Sequence, residues 1–144
     1  RVVAMSPNHE PGLGGIGMAI EQAGVRVAEH LPRDRFVGLL KACAARGGVL
    51  VGNSSAGLIE AAAIRPAVAV VNIGARQAGR ERAGNVIDCG ERDSDVRDAV
   101  EQALARRPGD IAHPYGDGQT GLRVAAMLAE VGPPDERLRK RCVY

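Results

Sequence analysis

Short apolar stretches alternate along the chain with longer stretches in which apolar residues recur at helical spacing. The short stretches are rich in valine, isoleucine and leucine, which is typical of strands covered on both faces. They predict strands at 2–6, 25–31, 48–52, 67–73 and 85–88. The longer stretches predict helices at about 13–24, 34–46, 55–64, 94–106 and 119–131. This alternation predicts the α/β class, a doubly wound parallel sheet with helices on both faces.

The end of the chain differs from the rest. After Gly132 the segment PPDERLRKRCVY is charged, begins with two prolines and has no apolar face. We therefore expect one domain at 1–132 and a charged tail at 133–144. The chain begins with Arg1, and a strand-like stretch follows at once, so we also expect a fragment of a longer protein.

Composition excludes several classes of protein. The 19 basic and 17 acidic residues are interspersed and aromatic residues are 2% of the chain, so no nucleic-acid partner is expected. No apolar run approaches the ~20 residues of a membrane span, and the first residues lack a signal-peptide pattern. We expect a cytoplasmic protein with no membrane partner. The three cysteines lack disulfide or metal-ligand spacing, so no metal site is expected.

The most informative loop is GNSSAGLIE at 52–60, which follows a predicted strand and leads into a helix. In an open parallel sheet, ligands bind beside the carboxyl ends of the strands. Small residues there let backbone N–H groups and the hydroxyls of Ser54 and Ser55 converge on a phosphate, with Glu60 turned toward sugar hydroxyls. Alternatively, a serine only caps the helix and Glu60 is a solvated acid. Both interpretations remain open.

A second loop, NIGARQAGRERAGN at 72–85, places Arg76, Arg80 and Arg82 directly after a predicted buried strand. An arginine at the carboxyl edge of a sheet can clamp a phosphate bidentately. The alternative is a set of solvated arginines that pair with Glu81, and it is favoured for Arg80 and Arg82. The later loop PYGDGQTG at 114–121 offers Asp117 or Thr120 as a helix cap.

The first loop, SPNHEPGLGGIG, contains a glycine pattern that matches the dinucleotide-binding fingerprint literally at Gly12, Gly14 and Gly17. The fingerprint needs its first glycine in a tight turn directly after the strand, and two prolines intervene here. The pattern therefore favours a glycine-rich helix entrance over an NAD site. His9, beside Glu10, is the candidate acid or base, although a loop histidine is more often solvated.

Taken together, these motifs resemble the UDP-N-acetylglucosamine 2-epimerases. The pattern NSSxGxxE followed by NIGxRQxGRExxxNVI is similar to the hydrolysing branch, which makes N-acetylmannosamine and UDP. The segments that carry the resemblance are SPN at 6–8, HLPRDRFVGLLK at 30–41, VLVGNSSAGLIEAAAI at 49–64, VVNIGARQAGRERAGNVID at 70–88 and YGDG at 115–118.

The resemblance implies a fold and a set of partners. The chain corresponds to most of the carboxyl-terminal, nucleotide-binding half of the two-domain GT-B architecture. Its first strand, which would lie between the strands at 2–6 and 48–52, is missing. The implied partners are UDP or a UDP-sugar, the missing amino-terminal domain and a second copy of the chain, with no cofactor. The isolated chain would be inactive and marginally stable, and the whole enzyme would serve amino-sugar metabolism, including sialic acid biosynthesis.

The resemblance also implies roles for individual residues. Ser54, Ser55 and Gly57 would hold the UDP phosphates, Glu60 would hydrogen-bond the ribose, and Arg76 would face the phosphates and the sugar. The stretch from Leu31 to Phe36 would approach uracil, and Asn8 and Glu10 would lie near the sugar. The catalytic residues are not assigned beyond the candidate His9. The alternative function is a non-catalytic or degenerate interaction module with the same fold.

Overall fold

The elements follow the predicted alternation of strands and helices. The computed structural model of the chain describes residues 1–7 and 14–131. The strands are β1 Val3–Met5, β2 Arg26–Ala28, β3 Val49–Gly52, β4 Ala69–Ile73 and β5 Val86–Cys89. The helices are α1 Gly14–Gln22, α2 Arg33–Ala45, α3 Ser55–Leu58, α4 Glu60–Ala63, α5 Asp93–Ala105 and α6 Thr120–Val131.

All paired strands are parallel, and they form two separate sheets. The larger sheet has the order β3-β4-β5, and the smaller one pairs β1 with β2. Within the described ranges no ladder joins β1 to β3, which is the place where a further strand is expected from the sequence. That expected strand and the single domain at 1–132 stay predictions.

The larger sheet is covered on both faces because β4 and the residue before it alternate between two clusters. Val68 and Val70 pack with Leu40 of α2 and with Ala61 of α4. On the opposite face, Ala69 and Val71 pack with Ala99 and Ala103 of α5. The doubly wound α/β class predicted from the sequence is therefore confirmed, and β4 is buried from Ala69 to Asn72.

The end of α2 shows why the sequence places glycines at 47 and 48. Gly47 adopts the left-handed conformation, with φ of 64°. Its N–H donates to the carbonyl of Ala44, and the N–H of Gly48 donates to that of Cys43. These two hydrogen bonds satisfy carbonyls that the end of a helix would otherwise leave unpaired. It turns the chain directly into β3.

The single helix predicted at 55–64 is wrong in one respect, because it is broken at Ile59 into α3 and α4. At Ile59 the backbone, with φ of −98° and ψ of −68°, departs from ideal helical values, and a distant histidine contacts this residue. His113 Nδ1 accepts the N–H of Tyr115, so the proton of a neutral ring lies on Nε2, which is 2.9 Å from the carbonyl oxygen of Ile59. This bond engages the carbonyl at the break from outside the helix.

The last helix of the described chain is the least covered. Every residue of α6 with assigned burial is exposed, including the apolar side chains of Leu122, Met127 and Leu128. Within residues 1–7 and 14–131, no helix is long and apolar enough to cross a membrane. The tail predicted at 133–144 lies outside the described residues.

Candidate functional site

Two of the loops singled out in the sequence meet at the carboxyl edge of the larger sheet. The strands β3 and β4 are neighbours, and their last paired residues include Gly52 opposite Asn72. The loops that follow are joined at one atom, the carbonyl oxygen of Asn53. Gln77 Nε2 donates to it at 2.7 Å and Arg76 Nη1 at 3.2 Å. Arg76, which is predicted to face a phosphate, therefore lies beside the loop at 52–60, called the serine-glycine loop below.

Ser54 is a helix cap, which is one of the two interpretations that the sequence left open; phosphate binding stays a prediction. Its Oγ accepts the N–H of Ala56 at 3.3 Å, so it caps α3. A hydroxyl that accepts one hydrogen bond keeps its own proton for donation. The backbone N–H groups of Ser54 and Ser55 have no hydrogen-bond partner among the described residues. The cap thus leaves several donors at the start of α3.

Gly57 has a packing role in this structure. It is buried, and a Cβ at this position would lie 3.0 Å from Val70 Cγ1. Its N–H donates to the carbonyl of Ser54 at 3.1 Å. The absence of a side chain lets α3 approach β4 closely. A direct contact between Gly57 and a phosphate stays a prediction.

Glu60 is not the solvated acid that the simpler interpretation describes. It is half-buried at the first position of α4, and its Oε2 is inaccessible to water. That oxygen has no hydrogen-bond partner among the described residues. A buried carboxylate oxygen without a partner carries a desolvation penalty, which a hydroxyl donor from a ligand would relieve.

Arg82 is paired with Asp88 rather than with Glu81. Its Nε lies 3.0 Å from Asp88 Oδ2, and its Nη1 donates to the backbone carbonyl of Gln77 at 2.8 Å. The hydrogen bond from Arg82 lowers the pKa of the Asp88 carboxyl, against a smaller opposing effect of burial. The Tyr115 hydroxyl donates to the carbonyl of Glu81 at 3.0 Å. The arginine-rich loop is thus fixed at both Arg82 and Glu81.

Thr120, one cap that the sequence offers, is already the first residue of α6, and the other, Asp117, closes a turn before the helix instead of capping it. Its Oδ1 accepts the N–H of Gln119 at 3.0 Å, and both of its oxygens accept from the guanidinium of Arg123 at 2.7 Å. These bonds, above all those from Arg123, lower the pKa of the Asp117 carboxyl to about 2. The turn and the ion pair account for the carboxylate in full.

The residues proposed to approach uracil lie near the start of α2, outside the hydrogen-bonded site described above. Leu31 is half-buried just before α2, and Phe36 packs against the core cluster formed by α2 and α4. Their role toward uracil stays a prediction. Asn8, His9 and Glu10 lie outside the described residues.

Sequence reasoning missed two residues that organise this region. Gln77 stands beside Arg76 in the motif NIGxRQxGR, but the pattern gives no sign that its amide reaches a carbonyl 24 residues earlier. His113 follows α5, far along the chain from the break that it contacts. Contacts over such distances follow only from the folded backbone. Across the described part of the chain, no group of three or more histidine, cysteine or acidic side chains could hold a metal ion.

Two comparisons with known proteins identify the family of the chain. The profile of the family described as UDP-N-acetylglucosamine 2-epimerase matches residues 2–129. A UDP-N,N'-diacetylbacillosamine 2-epimerase (hydrolyzing) from Legionella pneumophila is 32% identical over 146 aligned positions, which cover 99% of this chain. The chain spans 37% of the length of that relative. It belongs to the UDP-N-acetylglucosamine 2-epimerase family.

Proposed function

We propose that this chain is the UDP-binding part of a hydrolysing UDP-N-acetylglucosamine 2-epimerase, which converts UDP-N-acetylglucosamine to N-acetylmannosamine and UDP. Membership of the family supports the class of reaction. The observation that carries the proposal is the junction at the Asn53 carbonyl, where the serine-glycine loop meets Arg76. Backbone N–H groups, hydroxyls and a guanidinium at one sheet edge are the groups that bind a diphosphate.

Each polar group has a place in this proposal. The N–H groups and hydroxyls of Ser54 and Ser55 bind phosphate oxygens, and Gly57 lets their helix approach the sheet. The buried oxygen of Glu60 accepts a hydrogen bond from a ribose hydroxyl. Arg76 lies over the diphosphate on the side of the sugar. The residues around Leu31 and Phe36 approach uracil, and Asn8 lies near the sugar.

The proposed reaction eliminates UDP to leave a glycal, and water then adds to the sugar. Negative charge grows on the diphosphate as the bond to the sugar breaks. Donors that are already oriented stabilise such charge more than they stabilise the bound substrate. This part of the enzyme therefore assists the departure of UDP, while proton transfer falls largely to an amino-terminal domain, with His9 as the candidate within this chain.

The proposed substrate is a UDP-sugar with an acetamido group next to the reacting carbon. The Legionella relative is named for UDP-N,N'-diacetylbacillosamine, so the family handles more than one acetamido sugar. We assign the choice between such sugars to the amino-terminal domain and the shared nucleotide to this chain. The chain alone is then inactive, and the whole enzyme is a cytoplasmic homo-oligomer.

Isothermal titration tests the site directly, with UDP and uridine as the two ligands. UDP should bind more tightly, because only UDP carries the groups that the loop and Arg76 recognise. Replacing both Ser54 and Ser55 with alanine should weaken the binding of UDP by about a hundredfold or more, since each lost bond to a charged group costs about 1.5–3 kcal/mol. Glu60→Ala should weaken the binding of both UDP and uridine, because both contain ribose.

The matched control is Ser94→Ala, which removes an exposed serine hydroxyl near the start of α5. It should leave both affinities unchanged. Equal affinity of the unaltered chain for UDP and uridine would refute the phosphate site.

A further inference from the structure

We infer that Gln77 is a positioning residue that orients the serine-glycine loop toward the diphosphate without touching the ligand. This role rests on the proposed UDP site. Gln77 is only 3% exposed. Its Nε2 donates to the carbonyl of Asn53 at 2.7 Å, so the bond ties the loop after β4 to the loop after β3.

The chemistry of the contact identifies the donor as the group that matters. The atom facing the Asn53 carbonyl must be the NH₂ of the carboxamide, because a carbonyl oxygen only accepts. The opposite end, Oε1, is buried and has no partner among the described residues. A buried polar atom without a partner is unfavourable, so this end of the side chain does not account for a carboxamide here. The carboxamide at this position is explained by the donation to Asn53.

The geometry of the peptide bond transmits this contact to the proposed site. In a planar trans peptide the C=O and the N–H point in opposite directions. The peptide that joins Asn53 to Ser54 is trans, so a carbonyl held toward Gln77 turns the Ser54 N–H the other way. That N–H has no partner among the described residues. Gln77, the nearer of the two donors to this carbonyl beside Arg76 Nη1 at 3.2 Å, therefore helps to fix the direction of the Ser54 N–H before a phosphate arrives.

Gln77 is itself held from the interior of the sheet. Its backbone carbonyl accepts from Arg82 at 2.8 Å, and Arg82 is paired with Asp88. Asp88 in turn accepts from Asn72 Nδ2 at 2.6 Å, and Asn72 is fully buried in β4. The serine-glycine loop is thus connected to the core through the side chains of Gln77, Arg82, Asp88 and Asn72. Donors held in place before binding lose less conformational entropy when the ligand binds.

Asn85 offers a closely matched control within the same sheet. It is 2% exposed, its Nδ2 donates to the carbonyl of Val68 at 2.7 Å, and its Oδ1 is also buried without a partner in the described chain. This carboxamide lies just before β5 and contacts the residue before β4, so it holds the amino-terminal edge of the sheet. Replacing Asn85 should affect stability in the same way as replacing Gln77. It should not affect the binding of UDP.

The experiment compares UDP and uridine titrations for the whole chain and for the variants Gln77→Met and Asn85→Leu. We expect Gln77→Met to weaken UDP about tenfold and uridine less than twofold, because only UDP uses the oriented donors. Asn85→Leu should lower the denaturation midpoint while keeping the ratio of the two affinities. If Gln77→Met does not fold, Gln77→Asn decides, since its shorter side chain keeps the carboxamide but withdraws the donor.

Two outcomes would overturn the inference. Either the ratio of UDP affinity to uridine affinity is unchanged in the Gln77 variant, or Asn85→Leu reduces that ratio as much as the Gln77 variant does. Failure of the proposed function looks different, because the unaltered chain would then already bind UDP no more tightly than uridine.

Discussion

Asn72 and Asp88 lie opposite each other on neighbouring parallel strands, and the Asn72 amide donates to Asp88 Oδ1 at 2.6 Å. Asn72 is fully buried, whereas Asp88 reaches the surface and pairs with Arg82. The pair thus connects the core of the sheet to the arginine-rich loop. Both residues stand at the carboxyl edge, the edge on which the proposed nucleotide site lies.

Asp88→Ala should destabilise the protein by about 1–3 kcal/mol, because it leaves the buried Asn72 amide without an acceptor. Urea denaturation measures the change in the free energy of unfolding. Asp98→Ala, which removes an exposed carboxylate from α5, should change it by less than about 0.5 kcal/mol. Replacing both Asn72 and Asp88 with leucine should lower the free energy of unfolding by less than the sum of the losses in Asn72→Leu and Asp88→Leu. Additive losses would mean that the two side chains are not coupled.

Gly57→Ala should also destabilise the protein, by about 1–3 kcal/mol, because the added methyl group would lie 3.0 Å from Val70 Cγ1. The control is Gly38→Ala in α2, where nothing lies within 4 Å of the added atom. That change should stabilise the helix by about 0.5–1 kcal/mol. Thermal denaturation followed by circular dichroism distinguishes the two, and a stabilising effect at both positions would contradict the close packing of α3.

The sequence predicts the elements well because their periodicity is local. The valine-rich stretch at 67–73 needs both faces covered, and the structure places α2 and α4 on one side and α5 on the other. The same reasoning fails at Ile59, because the local pattern gives no sign of the break or of the contact that this residue makes with a histidine 54 residues later. Of the site, the loop at 52–60 and Arg76 follow from motif and position. The Gln77 contact does not, since an amide in a polar loop looks solvated until the strands are paired.

The ion pair between Asp117 and Arg123 gives a prediction about acid. The pKa of Asp117 falls from its ordinary 3.8 to about 2, chiefly through hydrogen bonds from Arg123. A carboxyl with a lowered folded-state pKa stabilises the fold above its ordinary pKa, and that contribution is lost as the pH falls toward about 2. The start of α6 should therefore open below about pH 4, before protonation is complete.

Carboxyl ¹³C NMR titration measures this pKa directly. Arg123→Ala should raise the pKa of Asp117 toward its ordinary value, since the largest cause of the shift is removed. Arg97→Ala, which removes an exposed arginine from α5, should leave it unchanged. If Arg123→Ala left the pKa of Asp117 unchanged, the ion pair would not persist in solution.

The open edge of the larger sheet predicts self-association of the isolated chain. Edge strand β3 has no neighbour on the side away from β4 within the described residues, and Val51 is 44% exposed there. Unpaired backbone donors and acceptors beside an apolar side chain favour pairing with another strand. Sedimentation velocity should therefore show species that grow with concentration. Val51→Lys should shift them toward monomer, whereas Leu104→Lys, an equal change in charge on the exposed part of α5, should not. A monomeric chain with one cooperative thermal transition would show instead that the edge is protected, and the expected strand beside β3 would lose its support.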